Sequence, residues 1–427
     1  MHNFIENLRW RGMIHDITPG LEEESKKGII TGYIGFDPTA SSLHVGNLAT
    51  IMLLKHLQLA GHKPIALVGG ATGMIGDPSF KAMERKFLAE EELLHNQACI
   101  MKQLSKFLDF SSGANAAELT NNIDWFRDLS FLKFLREVGK HLSINYMMAK
   151  ESVKRRLEEG ISFAEFSYQL IQGYDFYHLY TTRGVKLQMG GADQWGNLTT
   201  GIELIRRKTG KEAFALTTPL ITKADGSKFG KSEQGNIWLD PTMTSPYMFY
   251  QFWLNCSDAE TSQLIKVFTL LSQEEIAQLV QTHEKAPHQR ILQNALAKEL
   301  TILVHSAADY HQAAKASNLL FGQATQTDLL ALSEQDFLTV FASIPQISIP
   351  VEQLAAVEDI TDLLTHVTQG VIFPSKREAR RMIEEGGVSI NKEKVTDPYQ
   401  KLACQPIKDK YLVVQKGKKN YFLIVVA

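Results

Sequence analysis

The chain has 427 residues, of which 44% are hydrophobic and 22% charged, which excludes a single small module and a disordered or collagen-like chain. Lys and Arg total 45 against 47 Asp and Glu, a net of −2, so bulk charge says nothing about a nucleic-acid partner and local charge must decide. Cys99, Cys256 and Cys404 are scattered and make no CxxC pair, which suits a reducing compartment. No apolar run approaches the roughly 20 residues that span a bilayer, and the N-terminal stretch lacks the basic-then-apolar order of a secretory signal. A cytoplasmic protein without membrane contact is expected.

From about 28 to 218, short apolar runs alternate with helical segments, the signature of βαβ units around a parallel sheet. Strands are predicted over 28–36, 64–69, 185–189 and 214–217, and helices over 48–59, 84–110, 126–146 and 162–182. The 126–146 helix carries Phe131, Phe134, Leu135, Val138 and Leu142, more apolar surface than one buried stripe requires. A polar loop at 223–235 leads into helical periodicity over 272–282 and 288–310. The segment 344–349, bracketed by Pro345 and Pro350, reads as a linker. From Pro374 onward 12 Lys or Arg stand against 6 Asp or Glu, a local net of +6. The expected fold class is α/β, with a Rossmann-like parallel-sheet domain and its helical insertion at 1–222. An all-helical domain bearing the lysine loop follows at 223–345, and a small α+β domain at 346–427.

The run Tyr33-Ile34-Gly35-Phe36-Asp37-Pro38-Thr39 continues to Leu43-His44-Val45-Gly46-Asn47-Leu48. A strand, a Gly-containing loop and a helix opening near Gly46 set backbone N–H groups and a positive helix end at the carboxyl edge of a sheet, a cradle for anions. Neither a GxGxxG nor a GxxxxGK[ST] pattern is present. Taken alone, His44 equally suits a plain helix-start histidine. In the polar loop, Lys228-Phe229-Gly230-Lys231-Ser232 sets two lysines around a flexible Gly, able to swing onto a triphosphate as pyrophosphate departs; by itself it also fits a solvated loop. Tyr168, Gln172 and Asp175 stand at i, i+4 and i+7, one helical face that can line a pocket opposite Tyr33. Phe163, Phe166, Leu170 and Phe176 would equally make this an ordinary amphipathic helix. Near the C-terminus, Lys376, Arg377, Arg380 and Arg381 form a basic strip on a short helix closed by Gly386 and Gly387. Such a strip reads RNA through phosphate and shape, or is a solvated charged face. No HExxH or Cys/His cluster offers a protein-held metal site.

Taken together, His44-Val45-Gly46-Asn47 and Lys228-Phe229-Gly230-Lys231-Ser232 resemble the paired HIGH-type and KMSKS-type signatures of class I aminoacyl-tRNA synthetases. Asn47 stands where that family most often has His, although its amide can still donate a hydrogen bond. Tyr33, the stretch Tyr168-Gln169-Leu170-Ile171-Gln172-Gly173-Tyr174-Asp175 and Gly190-Gly191-Ala192-Asp193-Gln194 are similar to the bacterial-type tyrosyl enzymes of that family. The segment from Pro374 to Asn391 is similar to the S4-type RNA-binding module.

This resemblance implies activation of L-tyrosine by ATP, as its Mg²⁺ complex, to tyrosyl-adenylate and pyrophosphate, then transfer of tyrosine to the 3′ end of its tRNA. It also implies a homodimer joined through the 126–146 insertion. By the same similarity, Tyr33 and Asp175 would bind the substrate phenol, and Tyr168, Gln172 and Asp77 its ammonium group. Gly191, Asp193 and Gln194 would lie near the ribose, and Gly35, Asp37, Thr39, His44 and Gly46 near the phosphates. Asn47, Lys228, Lys231 and Ser232 would complete the catalytic set, and Lys376, Arg377, Arg380 and Arg381 would contact RNA. A site that gives a phenol both a donor and an acceptor leaves buried polar groups unpaired when phenylalanine enters, which excludes it. Of the rivals, the tryptophanyl enzymes share the architecture, but Tyr33 with Asp175 and the S4-like tail argue against them. A non-catalytic RNA-binding paralogue would be expected to lose His44, Lys228 or Lys231, and all three are present.

Overall fold

The computed structural model describes residues 3–79, 88–111, 113–151, 153–154, 160–222, 229–232, 235–322, 325–341, 344–401, 405–417 and 420–427. They divide into two compact units, Met1–Thr244 with Trp253–Val304, and Ser245–Phe252 with His305–Ala427.

The first unit is built on six strands: β1 (Asp16–Ile17), β2 (Thr31–Phe36), β3 (Lys63–Val68), β4 (Glu118–Asn121), β5 (Leu187–Gly191) and β6 (Phe214–Thr218). Their order is β1-β6-β5-β2-β3-β4, parallel throughout except that β1 runs against β6. β5 and β6 are buried at every position, as parallel strands covered on both faces must be. The chain steps from β2 outward to β3 and β4, then returns to the other side of β2 with β5 and β6. Such a reversal opens a crevice at the carboxyl ends of the strands, where open α/β sheets bind ligands. The loops that follow β2, β3, β4 and β5 converge there.

The crossover helix Val45–Leu59 buries Val45, Leu48, Ile51, Met52 and Leu54. The helix Phe163–Arg183 starts at a Ser162–Glu165 capping box and stops at Gly184, whose φ of 66° few other residues tolerate. It packs along the helix Trp195–Thr209, where Gly201 permits the close approach: a Cβ there would lie 2.8 Å from the Phe176 side chain.

Three expectations change. The single helix expected over 126–146 is a broken run of Ile123–Phe126, Phe131–Glu137, the short turn Gly139–His141 and Ile144–Met148. Ser130 and Ser143 restart it, each side chain accepting a backbone N–H three residues on. Its inner face, Val138, Leu142 and Met147, is buried, whereas Phe131, Leu132, Leu135, Ile144 and Met148 stay exposed. The helix expected over 84–110 is shorter, Glu90–Leu104, with 84–87 outside the described residues.

The third change concerns 344–349, expected as a linker, where β9 (Gln346–Ile349) forms instead. Ahead of it come the short antiparallel pair β7 (Lys231–Ser232) and β8 (Gly235–Asn236). The helices Asp258–Phe268, Gln273–Lys285 and Ile291–Val304 belong to the first unit. One reason is Arg11, buried at the end of the N-terminal helix Phe4–Arg11, whose guanidinium donates to the carbonyls of Lys266, Thr269 and Leu271. It satisfies the orphan acceptors of the Asp258–Phe268 helix end, and burial lowers its pKa to about 10.

In the second unit, β9 joins β10 (Val388–Ile390), β11 (Glu393–Lys394), β12 (Tyr411–Lys416) and β13 (Asn420–Val426) in the order β11-β10-β12-β13-β9. All pairings are antiparallel except β9 with β13. Leu363, Leu364, Phe373, Leu412, Val414 and Ile424 form its core. The basic helix Lys376–Glu384 docks on that core through Ala379 and Ile383. Among the described residues no helix is long and apolar enough to cross a membrane.

Candidate active site

The crevice is assembled from loops distant in sequence. Asp37, just beyond β2, takes a hydrogen bond from Thr72 Oγ1 at 2.6 Å and one from the Tyr168 hydroxyl at 2.8 Å. Thr72 lies in the short Gly-rich helix Gly70–Ile75 that follows β3. A Cβ on Gly69 would strike both Asp37 and Thr72, and one on Gly70 would strike Asn121, so the close approach of these backbones needs glycine.

Asn122, at the end of β4, continues the network. Its Oδ1 accepts from the Ala71 N–H at 2.7 Å, while its Nδ2 donates to Thr72 Oγ1 at 3.1 Å and to Asp175 Oδ2 at 3.0 Å. Trp125 Nε1 donates to the other oxygen of Asp175 at 2.8 Å. A continuous hydrogen-bonded chain therefore runs from buried Asp175 through Asn122 and Thr72 to half-buried Asp37 and on to Tyr168. Sequence reading found the two ends but missed Thr72, Asn122 and Trp125. For Thr72 a signal was present: the Gly69-Gly70-Ala71-Thr72-Gly73 stretch follows a strand at the carboxyl edge of a parallel sheet. Nothing in the Asn121-Asn122 doublet marks it beforehand.

Tyr33 projects from β2 into the same end of the crevice, packed on Phe176 with ring centroids 5.6 Å apart. Its hydroxyl is buried and has no hydrogen-bond partner among the described residues. Burial first, and then the neighbouring Asp175 carboxylate, holds that hydroxyl well above its usual titration range. Burial likewise pushes Asp175 up to about 8; the bonds from Asn122 and Trp125 pull the other way, and Asp37 adds to the rise. The pocket end thus holds an unpaired hydroxyl beside a carboxylate fixed by two donors. Tyr168 and Asp175 are both buried on the inner face of their helix, and Gln172 is half-buried between them.

On the β5 side, Asp77 is buried and accepts from Gln194 Nε2 at 2.6 Å and from the Ser79 N–H at 2.9 Å. Asn197 donates to Gln194 Oε1 at 3.1 Å. Gln194, expected near a ribose, thus meets Asp77, expected near an ammonium group. Asn197 was not anticipated. Gly191 ends β5 against Asp193, whose carboxylate would lie 2.5 Å from a Cβ there.

The third wall is the start of the crossover helix. His44 is its N-cap: Nδ1 accepts from the Gly46 N–H at 3.0 Å, which assigns the ring proton of the neutral imidazole to Nε2. Asn47 reciprocates, its Oδ1 accepting from the His44 N–H at 3.1 Å. With the amide oxygen so held, the Asn47 NH₂ faces away from the cap. Gly35, Thr39 and Gly46 are exposed along this edge.

Ile237 ties that helix start to the lysine loop. Its N–H donates to the Gly230 carbonyl at 2.9 Å, and its own carbonyl accepts from the Val45 N–H at 2.9 Å. Gly230, at φ 82°, lies so close that a Cβ would be 3.3 Å from Val45 Cβ. Phe229 anchors the loop between Trp253 and Phe268, with centroids 5.7 and 6.4 Å away. Lys231 and Ser232 are described as the backbone of β7, and Lys228 lies outside the described residues. The two motifs singled out in sequence are therefore adjacent in space, at the residues where both can be described.

Of the four basic residues near the C-terminus, Lys376 pairs with Asp362 at 3.1 Å, Arg380 stacks over Tyr399 at 4.8 Å, and Arg381 pairs loosely with Glu385 at 3.9 Å. Arg377 is exposed.

Residues 25–322 match the family of class I tRNA synthetases (W and Y), and 336–424 match the C-terminal domain of tyrosine–tRNA ligases. A crevice at the switch point of a parallel sheet, walled by a capped helix start and a glycine-lysine loop, is thus that of a class I aminoacyl-tRNA synthetase. The tyrosine–tRNA ligase of Amoebophilus asiaticus is 73% identical over the whole of both chains, and that of Cytophaga hutchinsonii 60% identical over 99% of each. The chain belongs to the tyrosine–tRNA ligase family. A C-terminally truncated mitochondrial tyrosyl-tRNA synthetase from Aspergillus nidulans superposes with a TM-score of 0.69 at 30% identity, covering 75% of this chain and 95% of its own. A tryptophanyl-tRNA synthetase from Plasmodium falciparum shares the fold, with a TM-score of 0.53 at 14% identity over 78% of this chain and 87% of its own.

Proposed function

We propose that this crevice activates L-tyrosine with ATP and passes the tyrosyl group to its tRNA. The observation that supports the assignment of amino acid is the pocket end where the unpaired Tyr33 hydroxyl stands beside Asp175. A phenol entering there donates a hydrogen bond to Asp175 and accepts one from Tyr33, giving the buried Tyr33 hydroxyl its partner. Phenylalanine leaves the buried Tyr33 hydroxyl unpaired. Asp77, Tyr168 and Gln172 take the ammonium group. Gly191, Asp193 and Gln194 take the ribose.

The tyrosine carboxylate then attacks the α-phosphorus of ATP in line, and pyrophosphate leaves. The reaction asks for placement and for charge stabilisation that is strongest in the transition state. Gly35, Asp37, Thr39 and Gly46 line the phosphate edge; Nε2–H of His44 and the NH₂ of Asn47 supply neutral donors; Lys228 and Lys231, with Ser232, close from the loop. ATP enters as its magnesium complex, the ion travelling with the phosphates as part of the substrate.

Segment 1–222 serves in this reading as the catalytic region, 223–345 as the lysine-loop and anticodon-side region, and 346–427 as an S4-like RNA-binding region acting through Lys376, Arg377, Arg380 and Arg381. The exposed apolar residues Phe131, Leu132, Leu135 and Ile144 support a homodimer formed on that insertion. The place of action is the cytoplasm. The test is amino-acid-dependent ATP–pyrophosphate exchange across all twenty amino acids without tRNA. Exchange with tyrosine alone, lost in Asp175→Ala, supports the assignment; exchange driven by tryptophan overturns it.

A further inference from the structure

The C-terminal unit holds an exposed aromatic ring whose rigidity the core does not require. Tyr399 is 61% exposed, yet the loop that carries it is fastened at four points. Asp397 Oδ1 accepts from the Tyr399 N–H at 2.9 Å, and the Asp397 carbonyl accepts from the Gln400 N–H at 3.3 Å. The carbonyl of buried Pro398 accepts from Thr361 Oγ1 at 2.6 Å, and the Gln400 carbonyl accepts from the Ile360 N–H at 2.9 Å. Ile360 and Thr361 are themselves buried, so the loop is pinned to the core while its aromatic ring faces out.

One face of that ring is covered by the Arg380 guanidinium, 4.8 Å from the centroid. Even with that contact the residue stays largely exposed. Arg377, about one turn before Arg380, and Arg381, the next residue after it, are on the same helix and are both exposed. A flat ring backed by a cation and flanked by phosphate-seeking charges is the arrangement that takes an unpaired nucleotide: the base stacks on the ring, and the neighbouring arginines hold its backbone. A plain phosphate site would have no use for the ring, and an apolar partner would be repelled by the desolvation of three guanidinium groups.

We propose that Tyr399, backed by Arg380, is a stacking platform for one unpaired base of the tRNA. This rests on the reading of 346–427 as an RNA-binding region, and names the kind of nucleotide it takes. Stacking on one aromatic side chain contributes about 1–3 kcal/mol, so Tyr399→Ala in the full-length enzyme should weaken binding of the tyrosine-accepting tRNA transcript by roughly fivefold to a hundredfold. Tyr399→Phe should bind as the parent does, because the ring and not the hydroxyl acts. The salt dependence of binding should keep its slope in Tyr399→Ala and become shallower in the double variant Arg377→Ala/Arg381→Ala. Tyrosine-dependent pyrophosphate exchange and thermal midpoint serve as controls for the Tyr399 variants and should be unchanged in both.

If Tyr399→Ala binds tRNA normally while the arginine double variant is weakened, the platform is disproved and the RNA-binding reading survives. Normal binding by the double variant overturns that reading. Equal losses in Tyr399→Phe and Tyr399→Ala would assign the effect to the hydroxyl and also disprove stacking.

Discussion

The hydroxyl of Tyr168 donates to the carboxylate of Asp37 at 2.8 Å, joining the helix Phe163–Arg183 to the loop that follows β2. Burial, then Asp37 and Asp77, keeps the Tyr168 phenol well above its usual titration range, so the donor is never lost near neutrality. Tyr168→Phe is expected to cost about 1 kcal/mol of stability and to raise the KM for both tyrosine and ATP in pyrophosphate exchange. A rise for tyrosine alone would show that the bond does not link the two halves of the site.

Asp175 gives a pH dependence with a definite sign. Its carboxyl titrates near 8 in the folded protein because it is buried and near 3.9 when unfolded. Between those values the folded state binds the extra proton, so this group's contribution to stability falls as pH rises from about 4 to 8 and is level above. Asp175→Asn removes that dependence. The ligand-free variant should gain on the parent by about 4 kcal/mol between pH 5 and 9, measured by urea unfolding at each pH, while losing tyrosine-dependent exchange. A difference that stays flat over this range would mean that Asp175 is ionised in the empty pocket.

Asn122 is the link between Asp175 and Thr72. Asn122→Ala leaves the Ala71 N–H and one oxygen of Asp175 without their partner, an expected loss of about 1–3 kcal/mol for each buried group. Tyrosine affinity, read by equilibrium dialysis, should fall about tenfold or more. Retained affinity would assign the placing of Asp175 to Trp125 alone.

Gly230→Ala probes the junction of the two motifs. The new methyl must adopt a φ of 82° and meet Val45 Cβ at 3.3 Å, a strain of about 1–2 kcal/mol. Because the strain falls where the lysine loop meets the helix start, kcat for exchange should drop about tenfold with the tyrosine dissociation constant unchanged. An unaltered kcat would show that the loop's reach does not depend on this contact.

The sheet and the face of Phe163–Arg183 were legible because short apolar runs set between helical segments, and a 3.6-residue period along a long helix, are strong signals. The ends of the 126–146 run were not, since Ser130 and Ser143 act through cap bonds that a hydrophobic count does not register. Pro345 and Pro350 suggested a linker over β9, yet prolines at the borders of a short edge strand leave its pairing intact. In the site, Tyr33 and Asp175 could be proposed because they lie in recognisable stretches. Asn122, Trp125 and Asn197 could not, because each acts by holding another side chain, and that relation exists only once loops far apart in sequence have met.

The parallel pairing of β9 with β13 sets Gln346 opposite Leu423, so the entry of the C-terminal module is held by its last strand. That pairing closes a long loop, and the entropy of closing it must be met before the pairing is rewarded. During synthesis the parallel sheet of the first unit can settle while this module still lacks an inner strand. The C-terminal module is therefore expected to mature last, after translation has passed residue 426, in a step separate from the folding of the adenylate-forming crevice.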